Sequence, residues 1–484
     1  MPTPIKVLFI ASEADPLIKV GGLGDVAGSL PYAMESLDPK WLNGDKLDIR
    51  LAIPFHAAIK PKVENLEKVA QFNIEHISGP ITAEVFATDI NRVRIYLIAS
   101  DLFTSGEPVY TGDNYRDGLK YTFFSLAALE LPRHIDWYPD ILHANDWHTA
   151  IVPYAAKYNP DFDYLHNVPS ILSIHNLPYL GNGAENSIAE FGIYPSGNPD
   201  LPDWSRAMPL PMGLATADRI IAVSPTYGSE ILTPEFGCGL ENYLLGRRDS
   251  VMGILNGLDQ SNWDPARDPA LVANFDFARL PKRQKNREAI LKEHGLNTDP
   301  TIPLMIIISR MDYQKGIDLA IEALYQLASE KWQAIILGTG DRIIESNCVH
   351  LQESFPDRVR TVLRFDAQLS RRMYASGDMI LMPSRYEPCG LAQMIAMRYG
   401  CVPIARATGG LKDTIQDSSA PGATGFLFTE ARSRDLAEAI ERALRYYAEP
   451  DRWRELQLRG MQMDFSWQRS AIAYGQIYRS LIGG

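Results

Sequence analysis

Short apolar runs alternate with stretches of helical period from one end of this chain to the other. Residues 7–11, 49–53, 94–98, 141–144, 171–174 and 220–224 have the length of buried strands. The pattern resumes at 304–309, 334–337, 359–363, 379–382 and 401–405. Between them, segments such as 121–131, 317–327 and 391–399 repeat apolar residues at helical spacing, the last ended by Gly400. Strand followed by helix, over and over, predicts helices laid on parallel sheets in both halves. A chain of 484 residues also exceeds one hydrophobic core of about 250–300 residues, so two domains are expected. The segment 253–259 reads as a turn-rich crossing between them, and the polar stretch 260–300 carries a basic helix, 282–294, whose charges read as a solvated face. From Phe465 onward, Trp467, Ala471, Tyr474, Tyr478 and Leu481 fall on one helical stripe, which must dock on its own domain or on the other one.

Several runs end in polar or glycine-containing loops, and in an open parallel sheet the loops leaving the carboxyl edge are where ligands bind. After the first run comes Lys19-Val20-Gly21-Gly22-Leu23-Gly24, with a helical pattern starting at Asp25. Gly22-x-Gly24-x-x-Ala27 formally fits a dinucleotide fingerprint. That fingerprint, however, wants its first glycine directly after the strand and an acidic residue closing the next one. Here residues 12–21 intervene, and 49–53 lead into Pro54-Phe55-His56. The reading preferred is a backbone that Gly21 and Gly22 make approachable by a phosphate, with Lys19 as a point charge; a purely structural turn is the alternative. Asp146 and His175 follow two further runs and so share this sheet edge. In the second half Arg310 and Lys315 follow 304–309, where a guanidinium and an ammonium suit a diphosphate, surface salt bridging being the plainer alternative. The run 379–382 leads into Ser384-Arg385-Tyr386-Glu387-Pro388-Cys389-Gly390, which offers a carboxylate. The next leads into Thr408-Gly409-Gly410, a glycine pair at a helix start on which a phosphate can rest.

Charge narrows the class. The net charge is −12, with no basic run, which argues against nucleic-acid and acidic-membrane partners. Four cysteines without C-x-x-C or histidine spacing read as thiols in a reducing cytosol rather than zinc ligands. The start of the chain is too short in apolar residues for a signal segment, and no run of about 18 apolar residues occurs, so a cytoplasmic protein is expected. Asp161-Phe162-Asp163 has the D-x-D form of a metal-holding motif but follows a proline in a polar stretch, so it reads as solvated surface. Segment 177–212, rich in Gly, Pro, Asn and Asp, has the length of a lid or binding loop.

Taken together, Lys19-Val-Gly-Gly-Leu-Gly-Asp25, His175-Asn176, Asn256-Gly-Leu-Asp259, Ser309-Arg-Met-Asp-Tyr-Gln-Lys-Gly316, Pro383-Ser-Arg-Tyr-Glu-Pro-Cys-Gly-Leu391 and Thr408-Gly-Gly-Leu411 resemble bacterial glycogen synthase and plant starch synthase, in the same order and over nearly the whole chain. The resemblance implies a GT-B architecture: an α/β fold of two Rossmann-like domains facing a deep cleft. The domains would be residues 1–253 and 254–467, with a helix, 468–484, returning to the first. It further implies transfer of glucose from ADP-glucose to the non-reducing-end 4-hydroxyl of an α-1,4-glucan, with retention and without cofactor or metal.

Carried over motif by motif, the catalytic set is Glu387, His175, Arg310 and Lys315. The substrate-binding set is Lys19, Gly21, Gly22, Asp25, Asp146, Asn256, Phe365, Cys389, Gly390, Leu391, Thr408, Gly409 and Gly410, with Glu13 and Tyr110 near the acceptor. Phe365 stands where the family places an aromatic ring against the base. Such transfer passes through an oxocarbenium-like state while charge grows on the leaving ADP, so stabilising the diphosphate is the main catalytic task. No good carboxylate nucleophile is evident; in the family the backbone carbonyl at the position of His175 lies beneath the sugar, and a front-face route is favoured. Glu387 would then stabilise positive charge or orient the sugar. Bacterial members usually carry Thr where this chain has Val20, which bears on fine donor or acceptor preference. UDP-glucose or a small acceptor is the same-fold alternative. A glucan-binding paralogue without catalysis is the other, although Lys19, Arg310, Lys315 and Glu387 are all present. A homo-oligomer is left open.

Overall fold

Every apolar run named above becomes a strand, and most are buried on both faces. The computed structural model describes residues 4–63, 65–104 and 106–483. It divides into two units, Met1–Gly257 with Trp467–Gly484, and Leu258–Ser466. The expected boundary at 253/254 therefore falls at Gly257, and Trp467 belongs with the first unit.

In the first unit the strands are β1 (Ile5–Ile10), β2 (Leu47–Pro54), β3 (Glu67–Ile74), β4 (Ile81–Ile90), β5 (Val93–Ala99), β6 (Ile141–Asn145), β7 (Ser170–Ile174), β8 (Arg219–Ala222) and β9 (Val251–Gly253). They form one sheet in the order β3-β4-β5-β2-β1-β6-β7-β8-β9. From β5 to β9 neighbouring strands are parallel, while β3, β4 and β5 form an antiparallel meander. The meander was not expected. Strand β3 is half exposed and alternates, and the β4–β5 turn uses Asn91 and Arg92, at φ 50° and 70°, in place of the Asn-Gly that would announce it.

The terminal helix Trp467–Ile482 lays Trp467, Ala471, Tyr474 and Tyr478 into the core built by β1, β2 and the helix Gly22–Glu35. Tyr478 closes the contact with a 2.7 Å hydrogen bond to His143 Nδ1. The segment 177–212, expected as a lid or binding loop, is anchored by apolar side chains: Leu177, Leu180, Ile188, Phe191, Ile193, Leu201, Leu210 and Met212 are buried, while Tyr179, Tyr194 and Trp204 are exposed. Its glycines and prolines shape turns around apolar anchors.

The second unit holds β10 (Leu304–Ile308), β11 (Gln333–Leu337), β12 (Val359–Val362), β13 (Met379–Met382), β14 (Val402–Arg406) and β15 (Phe426–Phe428) in the order β12-β11-β10-β13-β14-β15, all neighbours parallel. One expectation fails here. The basic segment 282–294 is not a solvated face throughout, because Arg283 and Arg287 are 5 % and 2 % exposed. Arg287 Nε donates to Asp378 Oδ2 at 3.0 Å, and Arg283 Nη1 lies 3.8 Å from Asp378 Oδ1. Buried charges persist only with such partners, and Asp378 lies far away in sequence, just before β13.

Candidate active site

The helix Gly22–Glu35 begins three positions before Asp25, with Gly21 as its N-cap and no cap from that residue's own side chain. The cap comes from elsewhere: the Glu13 carboxylate accepts from Val20 N and, at 3.1 and 3.2 Å, from Gly21 N. A carboxylate suits the positive end of a helix. Thus Gly21, one of the two glycines expected to let a phosphate approach, already gives its amide to a carboxylate, as does its neighbour Val20, and Lys19 Nζ pairs with Asp25 Oδ1 at 2.5 Å. Open space remains at Gly22, where an added Cβ would meet nothing within 4 Å. Tyr110 completes this group. Its hydroxyl donates to Glu13 Oε1 at 3.1 Å and lies 2.9 Å from Ser12 Oγ. Glu13 is 1 % exposed, and burial raises its carboxyl pKa although the two amides and Tyr110 pull the other way.

At the ends of β6 and β7, Asp146 and His175 come together. Asp146 sits in the left-handed region, φ 56°, and its Oδ1 accepts from His175 N at 2.6 Å and Asn176 N at 3.3 Å. Burial nevertheless raises its pKa to about 7, the amides opposing and the Glu13 charge adding. Asn145 Nδ2 donates to Ile10 O at 3.0 Å, which leaves Asn145 Oδ1 as the acceptor facing His175 Nε2, also at 3.0 Å. His175 therefore carries its proton on Nε2, and burial lowers its pKa to about 3, so the ring is neutral across ordinary pH. Asn256, beyond β9, is 7 % exposed and its Oδ1 has no partner, as does the Oδ1 of Asn176. Buried acceptors left this way cost roughly 1–3 kcal/mol each, and a ligand hydroxyl would satisfy them.

In the second unit the loops after β10 and β13 meet. Lys315 Nζ lies 2.8 and 2.7 Å from the two Glu387 oxygens, and Ser384 Oγ donates to Glu387 Oε2 at 2.8 Å. Glu387 is 5 % exposed. Gln314 links the loops by accepting from Arg385 N at 2.8 Å and donating from Nε2 to Tyr386 O at 3.2 Å. Arg310 is more exposed and pairs with Asp312 at 3.0 Å. Gly409 and Gly410, expected as a phosphate rest, first serve packing: Gly410 N donates to Glu387 O at 3.1 Å, and a Cβ on Gly410 would stand 2.0 Å from Cys389 O. The loop carrying Cys389, Gly390 and Leu391 is thereby held against the loop carrying Thr408. Phe365 stands 86 % exposed after β12. Asp161 and Asp163 are exposed, and among the described residues no group of three or more His, Cys, Asp or Glu is placed to hold a metal ion.

Sequence reading did not single out Asn145, Ser384 or Gln314. Each sits inside a quoted or adjoining motif, but its partner is fixed only by the fold.

Residues 6–245 match the starch synthase catalytic domain family, and residues 286–457 match glycosyl transferases group 1. A glycogen synthase of Clostridium perfringens (strain 13 / Type A) is 38% identical over 486 residues, covering 99% of this chain and 98% of its own. The chain belongs to the glycogen/starch synthase family. Another family member, the glycogen synthase of Thermotoga maritima, is 36% identical over 491 residues, with 99% of each chain covered. Among solved structures, the catalytic domain of starch synthase IV from Arabidopsis thaliana, bound to ADP and acarbose, superposes with a TM-score of 0.88 at 30% identity and full coverage of both chains. A sucrose-phosphate synthase from Thermosynechococcus elongatus, at TM-score 0.62, 19% identity and 99% coverage of each chain, shares the fold. The two-domain α/β arrangement of this family member is thus the GT-B fold. No helix among the described residues is long and apolar enough to cross a membrane.

Proposed function

We propose that this glycogen/starch synthase family member transfers glucose from ADP-glucose to the non-reducing-end 4-hydroxyl of an α-1,4-glucan, with retention and without a metal. The observation that carries the reading is the Lys315–Glu387–Ser384 cluster at the carboxyl ends of β10 and β13. Lys315 and Arg310, both carried by the loop after β10, offer cationic hydrogen-bond donors for a diphosphate leaving group, the role a metal takes elsewhere. ADP and acarbose, bound by the Arabidopsis relative, are the nucleotide that such a donor releases and a glucan-like oligosaccharide.

The chemistry assigned to each residue follows from its environment. Glu387 is clamped by an ammonium and a hydroxyl, which suits a fixed negative charge that stabilises or orients the sugar better than a mobile nucleophile. His175 is neutral, with Nε2–H committed to Asn145, so its ring offers only the Nδ1 acceptor. Asp146 anchors the backbone of His175 and Asn176, fixing the carbonyl that would lie beneath the sugar.

The test is incorporation of labelled glucose into glycogen from ADP-glucose and UDP-glucose in parallel, with and without EDTA. Incorporation from ADP-glucose that survives EDTA is the expected result. Preference for UDP-glucose overturns the donor, loss with EDTA overturns metal independence, and no labelling from either overturns the activity.

A further inference from the structure

The loop that carries Tyr110 is clamped from below by three residues of the helix Asn114–Ile135. Lys120, 2 % exposed, directs its ammonium at Val109 O (2.9 Å), Pro108 O (3.2 Å) and Asp117 Oδ1 (3.3 Å), which engages all three of its protons. Tyr121 OH donates to the same Val109 O at 2.6 Å. On the other side of Tyr110, the Asp117 carboxylate accepts from Thr111 N at 3.0 and 3.2 Å and from Thr111 Oγ1 at 3.0 Å. Tyr110 is therefore fixed through the residue before it and the residue after it. Its ring lies 4.6 Å from the His148 ring, and its hydroxyl reaches Glu13, which in turn holds the amides of Val20 and Gly21.

Burying an ammonium costs several kcal/mol unless a carboxylate and further acceptors compensate it. A leucine or methionine here would stabilise a plain helix-to-loop contact more simply. What the ammonium adds is direction, since it fixes two successive carbonyls and thus the peptide planes on which Tyr110 is mounted.

We propose that Lys120 is a positioning residue for glucosyl transfer, acting through Tyr110 and Glu13 on the glycine loop at Val20–Gly22. The proposal rests on the reading of Tyr110 and Glu13 as acceptor-side residues given above. Lys120 makes its hydrogen bonds to Pro108, Val109 and Asp117. It sets the Tyr110 hydroxyl where it can donate to Glu13 and so keeps the helix cap of residues 20 and 21 in place.

The test uses the full-length chain as Lys120→Met, Tyr110→Phe and the double variant, with Tyr121→Phe as a milder change should Lys120→Met fail to fold. Deuterium uptake by the peptide spanning residues 13–24 should rise in Lys120→Met, while peptides of the second unit stay unchanged. Loss of a hydrogen bond to a charged group should raise KM for glycogen about tenfold with kcat little altered, and KM for ADP-glucose should rise with it, because Gly21 and Gly22 are read as the loop a donor phosphate approaches. Because Lys120 acts through Tyr110, the double variant should match the Tyr110→Phe single in both readouts; Tyr121→Phe should shift both in the same direction by less. Unchanged uptake at 13–24, or strictly additive losses, overturns the proposal and leaves Lys120 a stability residue. If the unmodified chain transfers no glucose, the functional reading falls, and the exchange measurement still decides whether Lys120 controls the glycine loop.

Discussion

Replacing Glu387 by alanine should abolish glucosyl transfer and at the same time tighten ADP binding. In the ligand-free chain the Lys315 ammonium lies 2.8 and 2.7 Å from the Glu387 oxygens, so the cation offered to a diphosphate is already matched by a buried carboxylate. A phosphate oxygen accepting from Lys315 Nζ at ~3 Å would stand ~5–6 Å from that carboxylate. Two like unit charges at this separation repel by ~0.7–3 kcal/mol as the effective dielectric constant falls from ~80 to ~20. Deleting the carboxylate removes that repulsion, and ordering the released lysine side chain takes back ~0.5–1.5 kcal/mol. The net gain is about 1 kcal/mol, or about fivefold in Kd. Calorimetric titration of ADP into both proteins gives the Kd, and labelled transfer to glycogen gives the activity. A variant that binds ADP about tenfold more weakly or worse would refute the reasoning, because Glu387 would then be what holds Lys315 in the nucleotide's path. Retained transfer would remove Glu387 from the chemistry.

Asp146→Asn should change the pH dependence of stability. Burial raises the Asp146 pKa to about 7, so its contribution is present at low pH and is lost as pH rises through about 7. Asparagine keeps an acceptor for the amides of His175 and Asn176 and tolerates the left-handed backbone. The variant should therefore gain melting temperature relative to the unmodified chain between pH 5 and pH 8, and a difference constant across that range would sink the assignment. Asp378→Ala should destabilise the second unit by about 3–5 kcal/mol, since it strands two buried guanidiniums; denaturant unfolding monitored in that unit would count against the cluster if the loss stayed within ~1 kcal/mol. Gly22→Ala and Gly410→Ala should separate function from folding. The first enters open space and should melt normally while weakening transfer. The second drives a methyl group to 2.0 Å from Cys389 O and should lower the melting temperature of the second unit, so equal thermal profiles for the two variants would contradict the geometry.

Much of the scaffold was legible because burial on both faces of a parallel strand leaves an unbroken apolar run, as in Met379–Met382 and Leu304–Ile308. The terminal helix was legible for the same kind of reason, its Trp467–Ala471–Tyr474–Tyr478 stripe being a local record of one buried face. The motif loops after β1, β10, β13 and β14 could be placed because the parallel alternation dictates which edge they leave. Less was legible where a strand is half exposed, as in β3, or short, as in β15, since neither carries enough apolar pattern to stand out from a loop.

What only the tertiary structure decided are the pairings. Lys315 meets Glu387 across 72 positions, Arg287 meets Asp378 across 91, and Tyr110 meets Glu13 across 97. A charged residue reads the same in sequence whether it faces water or a buried partner, so Arg283 and Arg287 passed for a solvated face and Lys120 passed unnoticed. The glycine loops show the same division. Sequence marked Gly21, Gly22, Gly409 and Gly410 as places where a backbone can be approached closely, but what approaches Gly21 and Gly410 in the folded chain is Glu13 and Cys389. Local sequence determines backbone freedom and apolar period. Which groups take up that freedom depends on chain crossings that bring distant residues to one sheet edge.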